Sequence, residues 1–174
     1  MDVDKIRGYS RAKLRAPWRG LQAGSDGGFP SGRAFEHLLV RAFQLDGAHV
    51  EWPYEVESPL HQIDGVVHFA GLALLLEAKH WDGNVDFAPI AKLAAHLRRR
   101  PANTMGIVFS ARRFTDPARE SVLLSGSCQI LLWEGAEIDW AMSKQGGFTT
   151  GLVTKYRQAV KLGVPDYNIV LGGP

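Results

Sequence analysis

Cysteine occurs once in the 174 residues, at Cys128, so an internal disulfide and every cysteine-based zinc motif are excluded. The six histidines, His37, His49, His61, His68, His80 and His96, form no HxxxH or HExxH pair, which leaves a histidine-based zinc enzyme without support. No apolar run approaches the roughly 18 residues needed to cross a bilayer; the longest surrounds Leu72 to Leu76. The N-terminal MDVDKIRGYSRAKLR contains no apolar stretch of the kind a secretory signal requires. These absences point to a soluble protein of a reducing cytoplasm with no membrane partner. With 45% hydrophobic, 22% charged and 10% aromatic residues, the composition is that of a globular protein rather than a disordered or fibrous one. The length suits one domain.

Net charge is only +2, but it is unevenly spread. Residues 1–20 carry six Lys or Arg against Asp2 and Asp4. From Asp46 to Asp86 there are eight acids against a single base, Lys79. From Lys92 to Arg113 there are six bases, Lys92, Arg98, Arg99, Arg100, Arg112 and Arg113, and no acid. An acidic centre between basic segments suits a cation site working on a polyanion, although ordinary variation in surface charge produces similar asymmetries.

Residues 1–30 are basic and then glycine-rich, and read as a loosely packed arm. Residues 31–162 hold the periodic segments, and 163–174 form a tail with some apolar content. Ser31 opens a helix with an apolar stripe of Phe35, Leu38, Leu39, Ala42, Phe43 and Leu45, ended by Gly47, and Glu36 sits at the stripe's edge. Val50, Trp52, Tyr54 and Val56 alternate with polar residues as in a half-buried strand, of which Pro53 leaves part unpaired. Residues 62–69 and 72–79 read as two strands around an Ala70-Gly71 turn. Asp86 caps a helix that ends at Pro101; MGIVFS is a buried strand; Asp116-Pro117 opens a further helix. A strand from Cys128 to Trp133 and helices at 136–142 and 150–162 complete the order. A strand meander followed by βαβ units predicts an α/β domain with a mixed central sheet flanked by helices.

The strand pair carries the chemistry. If Ala70 and Gly71 are the loop, Phe69 pairs with Leu72 and, in the same register, Asp64 faces Glu77, with Lys79 two residues along on the same face. Opposed carboxylates repel, and the repulsion grows when they are desolvated. A divalent cation offsets it directly: magnesium prefers hard oxygen ligands, holds one or two protein carboxylates and keeps waters for a phosphate substrate and a nucleophile. Taken singly, Asp64 also reads as a solvated acid near a turn and Lys79 as a surface lysine. Jointly they are harder to explain so, because Leu74 to Leu76 lead straight into Glu77, where an unpaired charge is costly.

Asp64 followed by Glu77-Ala78-Lys79 resembles the PD-(D/E)XK signature of the restriction-endonuclease-like nuclease superfamily, with Ile63-Asp64 where the motif's name has Pro-Asp. Gly32-Arg33-Ala34-Phe35-Glu36 resembles that family's acidic first helix, and MGIVFSARRFTDPARE with CQILLW resembles its Mrr-like type IV restriction endonuclease branch. The resemblance spans residues 31–143 and implies the restriction-endonuclease-like fold, with an α-β-β-β-α-β core. It implies a magnesium-dependent DNA endonuclease, with manganese able to substitute, that cleaves foreign or modified DNA in restriction and antiviral defence. Asp64, Glu77 and the Ala78 carbonyl would be metal ligands, Lys79 the catalytic lysine and Glu36 an auxiliary acid.

Two alternatives stay open: a structure-specific repair nuclease of the junction-resolvase kind, and a DNA-binding subunit of this fold whose cleavage or specificity depends on a second copy or a partner protein. A chain of this length leaves no room for a separate recognition domain, which keeps the latter open. Where related nucleases often carry a glutamine, this chain has Lys92 and His96, and His96 reads best as a partly buried or phosphate-facing residue. Lys92, Arg98, Arg99, Arg100, Arg112 and Arg113 are candidate phosphate contacts, or solvated helix-end charges. The five tryptophans read mostly as core residues, although Trp81, in a loop just past Lys79, could touch a nucleotide.

Overall fold

A computed structural model of the chain describes residues 3–23, 31–55, 62–124 and 129–173. Cys128 and the glycine-rich stretch 24–30 lie outside the described residues. A short 3-10 helix (Val3–Gly8) precedes α1 (Arg11–Gln22), α2 (Ser31–Leu45), β1 (His49–Glu51), β2 (Tyr54–Glu55), β3 (Gln62–Ile63), β4 (Gly65–Phe69) and β5 (Leu72–Lys79). Then follow α3 (Ala88–Leu97), β6 (Thr104–Ser110), α4 (Asp116–Leu124), β7 (Ile130–Trp133), α5 (Gly135–Ser143) and α6 (Gly147–Leu162). β1, β4, β5, β6 and β7 lie side by side in that order, while β2 and β3 form a separate ribbon. The pairs β1–β4 and β4–β5 are antiparallel, and β5–β6 and β6–β7 are parallel. The predicted mixed sheet and α-β-β-β-α-β core are present as α2-β1-β4-β5-α3-β6.

The sheet divides two cores by the period of two along each strand. Leu74, Leu76 and Ala78 of β5, with Ile107, Phe109, Leu131 and Trp133, pack under α1, α2, α5 and α6. Leu75, Val108, Ile130 and Leu132 pack under Ile90, Leu93 and Leu97 of α3 and Ala118 and Val122 of α4. Fully apolar runs such as MGIVFS and ILLW are therefore covered on both faces.

The Ala70-Gly71 turn forms as expected, with both residues at positive φ (51° and 79°), the geometry of a tight hairpin. The β4–β5 register also follows the expectation from Phe69↔Leu72 to Gly65↔Leu76, but the ladder stops there. Asp64 is therefore not a ladder partner of Glu77. Gly65 (φ 155°), the last ladder residue, lies so close to α2 that a Cβ there would come 2.6 Å from Val40 Cγ2, so the position needs glycine. The expected strand at 49–57 is also split, Glu51 ending β1 and Tyr54 pairing with Ile63 in the ribbon. Pro53 stands at the division.

The N-terminal segment departs most from its expectation. Residues 3–23 are not a loose arm: Ile6, Leu14, Trp18 and Leu21 are buried in the core beneath α1 and α2. Leu14, Trp18 and Leu21 recur at helical spacing, a stripe too narrow to stand out among the charges of RAKLRAPWRGLQ. Trp18 stacks on Phe35 (5.8 Å between centroids) and donates to Asp139 Oδ1 at 2.6 Å.

Candidate active site

The acids and the lysine predicted from the motif meet at the C-terminal end of β5. Asp64, just before β4, and Glu77, on β5, are each only 3% exposed. Asp64 Oδ2 accepts a 2.9 Å hydrogen bond from the Ala78 amide, so a side chain takes the position the interrupted ladder vacates. Glu77 lies on the α3 face of the sheet, and Lys79, one pleat on, returns to that face with its Nζ 2.6 Å from Glu77 Oε1. The same ammonium is 3.2 Å from the Ala78 carbonyl and 4.0 Å from Asp64 Oδ2. Glu36, on the second turn of α2, interacts with Asp64, Lys79 and Glu77, and its Oε2 accepts from Gln62 Nε2 at 3.3 Å.

Burial and mutual repulsion set the protonation of this cluster. Burial first, then the Glu77 charge, pushes the Asp64 carboxyl up to about 6, against the Ala78 amide, Lys79 and Lys92. Burial, then Asp64, pushes Glu36 up to about 7, with Lys79 and Arg33 opposing. Burial works against the Lys79 ammonium, but Glu77, Asp64 and Glu36 outweigh it and hold its pKa above the ordinary lysine value. The pocket thus crowds negative charge and retains a cation at its centre.

That cation tests whether a divalent metal suits the residues. The three oxygen donors expected as ligands, from Asp64, Glu77 and Ala78, all face one positive charge, the Lys79 Nζ. They are hard donors of the type magnesium takes. Among the described residues, no group of three or more His, Cys, Asp or Glu side chains forms a cage for a metal. A set of two carboxylates and one carbonyl suits magnesium, which keeps several waters, better than ions that need a full protein cage.

The other candidates separate. Lys92, predicted among the phosphate contacts, instead reaches Glu77, its Nζ 3.1 Å from each carboxylate oxygen. Its position between buried Pro89 and His96, at spacings of three and four on α3, is the sequence feature that foretells an inward-facing side chain. Arg112 and Arg113 follow β6 at the same sheet end as Lys79, where the Ala111 amide bonds the Lys79 carbonyl at 3.0 Å. Arg98, Arg99 and Arg100 lie at the opposite end: α3 runs back along the sheet, and the chain re-enters at Thr104, the register partner of Ala73. Trp81, 40% exposed, stands two residues beyond Lys79. Gln62, which holds Glu36, carries no motif of its own and was not foreseen.

A second polar cluster, which no sequence motif announces, lies around Lys155 and Glu134. Lys155, with no exposed surface, is bonded to Glu137 Oε1 at 2.6 Å and to the Tyr167 carbonyl at 2.5 Å. Glu134 accepts from the Phe114 amide and pairs with Arg119, which also reaches Asp166 at 3.3 Å. This network ties the segment after α6 to β7 and α5.

Comparison with known proteins agrees with the geometry. A family model described as a restriction endonuclease, of the Mrr catalytic type, matches residues 30–142. No curated protein matches the chain at a significant level. One similar solved structure is the MspJI restriction endonuclease in complex with a 27-mer oligonucleotide, at 18% identity and a TM-score of 0.47. The similarity covers 78% of this chain and 32% of that one, so the chain spans about a third of that protein's length. The family model covers well over half the chain and includes every member of the acid–lysine cluster. The chain belongs to the Mrr-type restriction endonuclease family.

Proposed function

We propose that the protein is a magnesium-dependent endonuclease that hydrolyses phosphodiester bonds of DNA, acting in the cytoplasm against foreign or modified DNA. One observation carries the reading: the Asp64 and Glu77 carboxylates and the Ala78 carbonyl converge on a single cation, the Lys79 ammonium. In this reading those three groups hold the metal, with manganese able to replace magnesium. When bound, the ion lowers the pKa of a coordinated water and offsets charge on the phosphoryl group. Lys79 keeps its proton and is placed to orient the attacking water and to stabilise the developing negative charge. Lys92, held on Glu77, adds positive charge on the α3 side. Glu36 is an auxiliary acid that would hold a second metal or a water beside the cluster. Arg112 and Arg113 lie at the sheet end where a strand would lie across the cluster, and guanidinium forks suit phosphate oxygens.

The test is incubation of plasmid and oligonucleotide DNA with the protein in chelator, magnesium, manganese and calcium. Cleavage that needs magnesium or manganese and is lost in Glu77→Ala supports the reading. Cleavage that persists in chelator, or in Glu77→Ala at matched folding, overturns it.

A further inference from the structure

Beside the acid–lysine cluster lies a cleft of about 240 Å³ whose lining includes Arg7, Arg33, Tyr54, Gln62 and the acids Glu36 and Glu55. It joins three parts of the chain: the N-terminal 3-10 helix, the first turns of α2, and the β2–β3 ribbon. Its inner wall is Glu36 and Gln62, bonded to each other, and Gln62 leads in two residues to Asp64. The cleft is therefore continuous with the site that would cleave the strand.

The geometry points to this cleft as a positioning subsite for the DNA strand being cut, in which Arg7 and Arg33 hold a backbone phosphate next to the scissile one and Tyr54 lies against the adjoining nucleotide. This rests on the nuclease reading above. Both arginines are exposed, and Tyr54 presents more than a third of its surface. Of the two acids in the lining, Glu36 is bonded to Gln62 and interacts with the cluster as well as with Arg33, and Glu55 is exposed. Guanidinium groups suit phosphate because their donors match its oxygens, and an aromatic ring beside them accepts a base or sugar of any sequence.

The placement of Arg7 gives the N-terminal segment a role in this subsite. Arg7 lies over the Trp52 ring at 4.7 Å, next to buried Ile6. Arg41 Nε bonds the Tyr9 carbonyl at 2.9 Å, and the Leu21 carbonyl contacts His80 Nε2 at 2.8 Å, one residue beyond Lys79. The segment is thus fastened along α2 and at the end of β5, and it carries a cation to the mouth of the cleft from outside the region matched by the family model.

Arg7→Ala, Arg33→Ala and the double variant are to be compared with wild type in duplex-DNA binding across a salt series and in steady-state cleavage, with Arg7→Lys and Arg33→Lys as conservative variants. Melting temperatures should fall by no more than a few degrees, the loss of the Arg7–Trp52 contact included. Each alanine variant should shallow the log-log salt slope by about 0.9 and raise KM about tenfold, with a smaller change in kcat and partial recovery in the lysine variants. Wild-type slopes and KM in both alanine variants would overturn the subsite while leaving the nuclease reading intact. Failure of wild type to cleave with any divalent metal would overturn the nuclease reading, and the salt slopes would still decide whether the two arginines hold a phosphate.

Discussion

The Asp64 carboxylate and the Ala78 amide are joined by a 2.9 Å hydrogen bond across the end of the β4–β5 ladder. This bond fixes one carboxylate beside Glu77, on the residue just before β4. It also separates two roles of Asp64: an acceptor that a buried amide needs, and a charge that burial and Glu77 disfavour.

These roles respond differently to substitution. Asp64→Asn keeps an acceptor and removes the charge, so the metal-free protein should melt at the wild-type temperature or higher. Asp64→Ala leaves the Ala78 amide unsatisfied and should cost about 1–3 kcal/mol. Both should lose most of the stabilisation by magnesium, which for wild type at 100 times its Kd amounts to about 2.7 kcal/mol. Paired melts in chelator and in millimolar metal decide it. A full metal-induced shift retained in Asp64→Asn would remove Asp64 from the ligand set.

The protonation of the cluster predicts a pH effect of definite sign. Folded-state pKa values of about 6 for Asp64 and about 7 for Glu36 lie above the ordinary values of these carboxyls. The folded protein therefore binds these protons more tightly than the unfolded chain does. Their contribution to stability is full below about pH 4 and is lost as pH rises through 6 and 7. In chelator, the Tm difference between pH 5 and pH 8 should be smaller in Glu36→Gln and Asp64→Asn than in wild type. Metal should stabilise wild type more at pH 8 than at pH 5, because ligands must be deprotonated. Equal pH dependence in wild type and both variants would contradict the electrostatics described for the cluster.

The six bases between Lys92 and Arg113 should divide into groups. Arg113→Ala and Arg112→Ala, at the Lys79 end of the sheet, should each shallow the salt dependence of DNA binding by about 0.9 and slow cleavage. Arg99→Ala, at the other end, should change neither. Binding isotherms across a salt series check this; a shallower slope for Arg99→Ala than for both Arg112→Ala and Arg113→Ala would place the DNA path elsewhere.

Lys92 sits within 3.1 Å of both Glu77 oxygens and opposes a second cation there. Lys92→Met should bind magnesium severalfold more tightly by melt titration and cleave more slowly at saturating metal. Weaker magnesium binding in that variant would show that Lys92 supports the geometry of Glu77 rather than competing for its charge.

How far the sequence could be read depended on the range of the forces involved. The turn at Ala70-Gly71, the register it sets and the placement of Glu77 and Lys79 are local and could be read from the strand pattern. The end of the ladder before Asp64 could not, because the bond from the Ala78 amide to the Asp64 side chain and the close approach of Val40 to Gly65 are contacts made only on folding. Burial of α1 was hidden for a similar reason: three apolar residues suffice when Phe35 and Asp139 receive Trp18. The end of the sheet at which Arg98 to Arg100 emerge depends on the direction of the α3 crossover, which charge counting along the sequence does not record. Arg7 belongs to a basic segment of the sequence, and only folding brings it to the cleft that Glu36 also lines.

The most direct test of the central claim, that the cation facing Asp64, Glu77 and Ala78 marks the catalytic centre, is single-turnover cleavage of duplex DNA by Lys79→Ala and wild type in saturating magnesium, with DNA affinity measured on the same samples. The account predicts a loss of about 100-fold or more in rate, with affinity within a few-fold of wild type and the variant still folded. Cleavage by Lys79→Ala at a rate comparable to wild type would contradict it.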